Sequence, residues 1–233
     1  MIQVSKKGAI AIFVKTPGMS PVKTRLAAGV GEIVARSFYE LSCQAVAGVC
    51  RKVQGSRGSL CKVFWAVAEN DFSSYPGWSS LPCLSQGEGD LGKRLDTICR
   101  QLQVAYDYVM FMGGDCPQIR PEDLVQSISY LEAESGYTLG HSEDGGFWLW
   151  GGSKKVSPGT WQKVPYSQSV TGQTLQKFLQ REAGVFELTV YRDVDTKKDL
   201  LLLATELQRR NDLLPEQVAL RDWLGRQNLE IES

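Results

Sequence analysis

Three cationic side chains at and after the end of the first apolar run are the clearest candidates for a chemical role. Lys15 ends that run, a loop with two prolines and a glycine comes next, and Lys23 and Arg25 precede a segment of helical period. Cations near a helix N-terminus can hold a polyphosphate, because backbone N–H groups point at the anion while the side chains neutralise it. The alternative is a surface loop of solvated lysines. The position directly after a core strand favours phosphate binding.

A glycine-rich segment, QGEGDLGKRL, supplies further cations before another helical stretch. Its glycines let the backbone approach a ligand closely, and Lys93 and Arg94 open the helix. We include Arg94 among the candidate phosphate ligands. A tight turn with Asp90 as the helix N-cap explains the same residues equally well.

A carboxylate, Asp115, follows a buried run and two glycines in the segment VMFMGGDCPQ. A carboxylate at a strand end is well placed for Mg²⁺ or Mn²⁺, which bind through one or two carboxylates together with substrate phosphate oxygens. The alternative is an aspartate that caps a turn, a common use of this residue. The GGDCP context favours the metal ligand.

Three further aspartates lie in loops next to predicted strands. Asp144 precedes two glycines, while Asp193 and Asp195 follow the last predicted strand. Alternate residues of an extended segment point to the same side, so one of the last two could be a second metal carboxylate across from Asp115. This pairing requires the last strand to run parallel to the strand before Asp115. The alternatives are a hairpin turn for Asp144 and helix-start charges for the other two.

Several kinds of chemistry are excluded by composition. The chain has a single histidine, His141, which rules out a zinc site rich in histidine. It has 26 basic and 26 acidic residues, a formal net charge of zero, which argues against general nucleic-acid binding. The apolar run near the start, residues 9–14, is too short for a membrane span. We therefore expect neither a nucleic-acid nor a membrane partner.

Buried strands alternate with helices along the chain. Runs without polar alternation predict strands at Ala9–Val14, Lys62–Val67, Tyr108–Met112 and, less clearly, Val185–Tyr191. Spacings of three and four predict helices over residues 30–45, 91–102, 121–131 and from 197 onward. The segment Tyr137–Gly152, with Gly145-Gly146 at its centre, predicts an inserted hairpin. This order indicates an α/β fold with a mainly parallel sheet and helices on both faces.

The length of 233 residues fits one domain, spanning residues 1–233, with residues 213–233 as a C-terminal helical extension. The six cysteines form no C-x-x-C pair, and most lie beside apolar residues. This pattern predicts buried free thiols in a reducing compartment, and with no targeting segment visible we expect a cytoplasmic protein.

Five motifs in this order resemble the GT-A fold of the nucleotide-diphospho-sugar transferase superfamily. More narrowly, they are similar to a bacterial glycosyltransferase-A-like family often assigned to arsenosugar biosynthesis. The motifs are KTPGMSPVKTRL, the segment QGEGDLG, GGDCP, the DGG hairpin and DVDTKKDL, which together span residues 9 to about 200. The resemblance implies a Rossmann-like GT-A fold with a nucleotide site on the first half of the sheet.

The same resemblance implies roles for particular residues. Lys15, Lys23 and Arg25 match a loop that contacts phosphates. Asp115 matches the metal-binding aspartate after the central strand, and Asp193 or Asp195 matches the late aspartate that completes the metal site.

These features predict a metal-dependent transferase that uses an activated nucleotide, with a small-molecule acceptor. The leading interpretation is a nucleotide-diphospho-sugar glycosyltransferase that uses Mg²⁺ or Mn²⁺ on Asp115, with Asp144 as the base or acceptor ligand. The alternative is a nucleotidyltransferase that couples a nucleoside triphosphate to a phosphorylated acceptor and releases pyrophosphate. The single aspartate of GGDCP, in place of D-x-D, favours this alternative. A non-catalytic nucleotide-binding module is the third hypothesis, and it would require losses of acids or cations that the sequence does not show.

Overall fold

A computed structural model describes residues 6–72 and 75–227 of the chain. The described residues form a single seven-stranded sheet in the order β3-β2-β1-β4-β6-β5-β7. The strands are β1 (Gly8–Val14), β2 (Cys61–Val67), β3 (Cys83–Ser85), β4 (Tyr108–Gly113), β5 (Tyr137–His141), β6 (Phe147–Gly152) and β7 (Val185–Glu187).

Strand direction decides where the loops meet. Strand β1 pairs parallel with β2 and β4, and β2 pairs parallel with β3. Strand β6 pairs antiparallel with β4 and with β5, and β5 pairs parallel with β7. All strands except β6 therefore run in the same direction, so the loops after β1, β4 and β7 leave from one edge of the sheet. This is the condition that the predicted pairing of Asp115 with a late aspartate required.

Helices cover both faces of the sheet, as predicted. They are α1 (Thr24–Val30), α2 (Glu32–Arg57), α3 (Leu91–Leu102), α4 (Pro121–Ala133), α5 (Thr160–Lys163), α6 (Thr171–Gln180), α7 (Lys197–Gln208) and α8 (Pro215–Leu224). Alternate residues of β1 serve the two faces. Ile10 and Ile12 pack toward α2 and α4, whereas Ala9 and Ala11 pack toward α3 and α6. Burial on both sides explains why this strand is a continuous apolar run.

Most predicted elements are confirmed, and the inserted hairpin is the β5–β6 pair. Thr196 caps α7 through its hydroxyl, which accepts from the Asp199 backbone N–H in a reciprocal capping box. Asp90 caps α3, since its carboxylate accepts from the Lys93 N–H at 2.9 Å. The turn interpretation of the QGEGDLG segment thus holds for Asp90.

Two predicted elements differ in extent. The apolar pattern placed one helix over residues 30–45, but Gly31 at φ 84° separates α1 from α2 and leaves the Ile33 side chain 83% exposed. The predicted strand Val185–Tyr191 ends at Glu187, although the backbone N–H groups of Leu188 and Tyr191 still donate to the carbonyls of Leu139 and His141. Neither α6 nor the three-residue strand β3 was predicted from the sequence.

The C-terminal helix α8 packs against α2 and α7. Gln217 on this helix is fully buried, and its amide donates to the carbonyl oxygens of Pro117 at 2.8 Å and Ile119 at 2.9 Å. Residues 213–227 of the predicted extension therefore support the loop that carries Asp115, and residues 228–233 lie outside the described residues.

All six cysteines are free thiols, and all except the half-buried Cys83 are buried. Over residues 6–72 and 75–227, none of the helices has both the length and the apolar character that a membrane crossing requires.

Candidate active site

Three loops meet at the edge of the sheet where β1, β4 and β7 end. The Asp115 carbonyl accepts a hydrogen bond from the Val194 N–H at 3.2 Å, and the Gln118 amide donates to the Arg192 carbonyl at 2.7 Å. These bonds fasten the loop after β4 to the segment after β7. Asp115 and the late aspartates are therefore held side by side although they are far apart in sequence.

Lys23 lies between two of these aspartates. Its Nζ is 2.8 Å from Oδ1 of Asp115 and 2.9 Å from Oδ1 of Asp195. The Lys23 side chain is 4% exposed, whereas the two carboxylates are 44% and 39% exposed. Burial opposes the charge of Lys23, but the neighbouring carboxylates outweigh it and raise its pKa above the ordinary value. The ammonium is thus a fixed positive charge between the two acids.

The backbone around this centre is strained. Within the part of the chain that the structure describes, two residues other than glycine have positive φ, Lys23 at 47° and Ser167 at 58°. Both line the same cleft. Such conformations cost free energy and persist where surrounding contacts enforce them, often at functional sites.

Asp193 has a different environment from Asp195. Its Oδ1 accepts hydrogen bonds from the Cys116 thiol at 2.7 Å and from the Ser142 hydroxyl at 3.3 Å. Burial, reinforced by the charges of Asp115 and Asp144, raises the pKa of Asp193 to about 6, although the thiol hydrogen bond acts in the opposite sense. Burial also raises the pKa of the Cys116 thiol well above its ordinary value, which keeps it protonated as the donor.

A cleft with two lobes opens around the acids. The basic lobe, about 560 Å³, extends along the loop after β1. Its lining includes Lys15, Lys23, Arg25, Tyr39, Gln86, Asp115, Ser167 and Asp195. The aromatic lobe, about 490 Å³, lies toward the hairpin. Its lining includes Arg25, Phe111, Asp115, Asp144, Phe147, Trp148, Tyr166, Ser167, Gln168, Ser169, Thr171, Asp193 and Asp195. Asp115 and Asp195 belong to both lobes and mark their junction.

The cations predicted to bind phosphate have different positions. Lys15 and Arg25 are exposed and line the basic lobe. Lys23 also lines this lobe, but its ammonium is held by the acids and is not directed freely into the cleft. Arg94 is engaged elsewhere, since its guanidinium donates to the carbonyls of Gly89 at 2.9 Å and Ala68 at 3.3 Å. Arg94 therefore braces a loop in this structure and does not line either lobe, and its role as a phosphate ligand stays a prediction.

Asp144 occupies the turn of the hairpin and lines the aromatic lobe. Its Oδ1 accepts from the Gly146 N–H at 2.8 Å, as the turn interpretation expected, and the residue is exposed. His141 pairs with the Gln176 side chain at 3.1 Å, consistent with a structural position.

Sequence reasoning missed several residues of the cleft. Tyr166 and Ser167 come from the connection between α5 and α6, where no motif marked a site. Tyr39 of α2 braces the first loop, since its hydroxyl accepts from the Lys15 N–H at 2.8 Å. Cys116 orients Asp193, and the available signal was its place beside Asp115 in GGDCP.

The acid pair has the donor chemistry of a site for a hard divalent cation. Asp115 and Asp195 offer partly exposed carboxylate oxygens around one point, a donor type that Mg²⁺ and Mn²⁺ prefer. The Lys23 ammonium contacts both, so a metal ion on this pair would have to displace it. Across residues 6–72 and 75–227, no group of three or more His, Cys, Asp or Glu side chains is arranged to hold a metal.

Known structures share this fold. The chain is similar to a "putative nucleotide-diphospho-sugar transferase" from Desulfovibrio desulfuricans G20, with a TM-score of 0.78 and 25% identity over 95% of this chain and 98% of that chain. It shares its fold with 4-diphosphocytidyl-2C-methyl-D-erythritol synthase from Anaerococcus prevotii DSM 20548 (TM-score 0.54, 15% identity, 88% of this chain and 100% of that chain). A cytidylyltransferase from Leptospira borgpetersenii serovar Hardjo-bovis also has this fold (TM-score 0.51, 15% identity, 98% of this chain and 100% of that chain).

The fold and these similarities define a GT-A-like protein of the nucleotide-diphospho-sugar transferase superfamily, which confirms the predicted fold, superfamily and enzyme class of transferase. The chain belongs to the family described as "Uncharacterized protein conserved in bacteria (DUF2064)", whose model matches residues 52–168. No curated protein matches the chain.

Proposed function

We propose that this protein transfers a glycosyl group from a nucleotide-diphospho-sugar to a small-molecule acceptor. The observation that carries the proposal is the Asp115–Asp195 pair at the junction of the two lobes. A donor whose diphosphate occupies the basic lobe would place its sugar at that junction, facing an acceptor in the aromatic lobe. The likeness to the Desulfovibrio protein, at 25% identity, supports the same donor class.

The chain's own residues supply charge for this reaction. Arg25 and Lys15 would hold the diphosphate with charge-assisted hydrogen bonds. Lys23 keeps a positive charge at the point where negative charge builds up on the leaving diphosphate. Asp144 would orient the acceptor and receive its hydroxyl proton.

Asp115 and Asp195 would hold Mg²⁺ or Mn²⁺, and we assign Asp195 as the second ligand in preference to Asp193. The preference rests on the contacts, since Asp195 shares Lys23 with Asp115 whereas Asp193 is bonded to Cys116 and Ser142. When bound, the cation would neutralise charge on the departing diphosphate.

Nucleotidyl transfer from a nucleoside triphosphate is the second candidate. It is favoured by the basic lobe, where the exposed Lys15 and Arg25 come from a single loop and can pair with the charges of a triphosphate. The single aspartate of the GGDCP segment also supports it. Both candidates use the same lobe for phosphates and differ in which bond breaks.

A thermal-shift screen separates the two candidates. A ligand that binds the native state raises the unfolding midpoint by mass action, so nucleoside triphosphates and nucleotide sugars are compared with and without Mg²⁺ or Mn²⁺. We expect the largest shift from a nucleotide sugar, and a reduced shift in Arg25→Met. Arg181→Met, an exposed arginine at the end of α6, is the matched control and should behave as wild type. A larger shift from a triphosphate than from every nucleotide sugar would favour nucleotidyl transfer.

A further inference from the structure

The aromatic lobe has a charge that restricts what the acceptor can be. Four carboxylates line it, those of Asp115, Asp144, Asp193 and Asp195, against one cation, Arg25. That cation is already close to an acid, since Nη1 of Arg25 is 3.8 Å from Oδ2 of Asp195. The lining of this lobe therefore has more acidic than basic side chains, in contrast to that of the neighbouring basic lobe.

Compensation from outside the lobe does not remove this excess. Lys23 offsets part of the charge on Asp115 and Asp195 at the junction, and the divalent cation of the proposed function would offset it further. Asp193 is half-buried and accepts hydrogen bonds from the Cys116 thiol and the Ser142 hydroxyl. Asp144 remains as an exposed carboxylate, bonded to the Gly146 N–H at the tip of the hairpin. An anionic group entering the lobe beside the hairpin would meet this carboxylate, and the one cation of the lining, Arg25, already lies 3.8 Å from Asp195.

The rest of the lining suits a ligand with hydroxyl groups. Phe147, Trp148 and Tyr166 provide aromatic surface, and Gln168 and Ser169 provide neutral polar side chains. Pockets of this kind bury the apolar faces of a ligand and fix its orientation with a few polar contacts. Carboxylates accept hydrogen bonds from hydroxyl groups and repel phosphates at the same positions.

We infer that the acceptor is a hydroxyl compound that carries no phosphate or carboxylate group. The inference rests on the proposed function and specifies its second substrate. In the transfer step, the acceptor oxygen forms a bond to the anomeric carbon of the donor sugar. The bond from that carbon to the diphosphate oxygen breaks, and the nucleoside diphosphate leaves with the electron pair. The hydroxyl proton goes to the Asp144 carboxylate and then to water.

Matched pairs of small molecules test the inference without knowledge of the donor. Saturation-transfer NMR is recorded for neutral sugars and polyols and for their phosphorylated forms, such as glucose with glucose 6-phosphate and glycerol with glycerol 3-phosphate. We expect neutral members to bind at millimolar concentration, at least about tenfold more tightly than their phosphorylated partners, because one like charge at a few ångströms is enough for such a factor. In Asp144→Asn this preference should shrink, whereas Glu143→Gln, which removes the adjacent carboxylate paired with Arg192, should retain it.

Equal or tighter binding of the phosphorylated members by wild type would overturn the inference, and so would the absence of binding by every neutral compound. An unchanged preference in Asp144→Asn would equally contradict it. The proposed function fails by a separate result, the absence of any nucleotide-induced thermal shift. If the protein binds nucleotide sugars but prefers phosphorylated acceptors, the proposed function is retained and the inference about the acceptor is wrong.

Discussion

The ammonium nitrogen of Lys23 lies 2.8 Å from Oδ1 of Asp115, so the first carboxylate of the predicted metal site already has a cation from its own chain. A divalent cation must therefore compete with a tethered, buried positive charge. This relationship links the loop after β1 to the loop after β4, and it makes Lys23 the residue whose removal is most informative about the metal.

Lys23→Met should strengthen binding of Mn²⁺ in the absence of nucleotide by at least about tenfold, because the metal no longer displaces an ammonium group from the two carboxylates. Electron paramagnetic resonance of free Mn²⁺ during titration measures this change. Lys15→Met, an exposed lysine of the same loop, is the control and should leave Mn²⁺ affinity as in wild type. Equal Mn²⁺ affinities for Lys23→Met and wild type would contradict a metal site on Asp115 and Asp195.

The raised pKa of Asp193 predicts how stability depends on pH. Between an unfolded value near 3.8 and the folded value of about 6, the folded chain keeps a proton that the unfolded chain has lost. Stability from this group is therefore full below about pH 4 and is lost as pH rises through 6. Asp193→Asn retains the oxygen that accepts from Cys116 and removes the charge.

We expect Asp193→Asn to gain about 2–3 kcal/mol relative to wild type between pH 4 and pH 7. Urea unfolding of both proteins at the two pH values measures the difference, and the value at pH 4 serves as the internal control. A free-energy difference that is the same at both pH values would show that the environment of Asp193 does not disfavour its charge.

Arg25 and Arg94 were both predicted from the sequence to bind phosphate, but their substitutions should have different effects. Arg25→Met should weaken nucleotide binding by about tenfold or more with little change in stability, because its side chain is 79% exposed in the cleft. Arg94→Met should instead lower stability by about 1–2 kcal/mol, since its guanidinium bonds to backbone carbonyls. Calorimetric titration and urea unfolding of both variants measure the two effects. Lower stability in Arg25→Met together with weaker nucleotide binding in Arg94→Met would contradict the positions of these side chains.

Gln217→Leu should destabilise the protein by about 2–4 kcal/mol, because the carbonyls of Pro117 and Ile119 lose their buried donor. The same change should weaken nucleotide binding, since those carbonyls belong to the loop that holds Asp115. Gln101→Leu, at an exposed position of α3, is the matched control. Urea unfolding and nucleotide titration provide the measurements. Wild-type stability in Gln217→Leu would show that α8 does not support this loop.

The parts of the fold that could be predicted depend on local pattern. The apolar run Ala9–Val14 predicted β1 because both faces of this strand are buried, and Thr196 with Asp199 predicted the start of α7 because a capping box is local in sequence. The position of Asp115 followed from a strand end and two glycines. Each of these features leaves a signal within a few consecutive residues.

The parts that could not be predicted depend on tertiary contacts. Lys23 and Asp195 are 172 positions apart, and nothing in either segment indicates that their side chains meet. A cation at a helix start can bind either a phosphate or a backbone carbonyl. The sequence alone therefore could not distinguish these two roles for Arg94. Ser167 lies in the connection between α5 and α6. No local pattern indicates its positive φ or its place in the lining of the cleft.

Phosphorus NMR of the reaction products tests the central claim most directly. The protein is incubated with the nucleotide sugar that gives the largest thermal shift, with Mg²⁺ and a mixture of neutral hydroxyl acceptors, and Asp115→Asn is run in parallel. We expect wild type to give the signals of a nucleoside diphosphate only when acceptor is present, and Asp115→Asn to release it much more slowly. Formation of pyrophosphate from a nucleoside triphosphate, with no diphosphate released from any nucleotide sugar, would contradict glycosyl transfer.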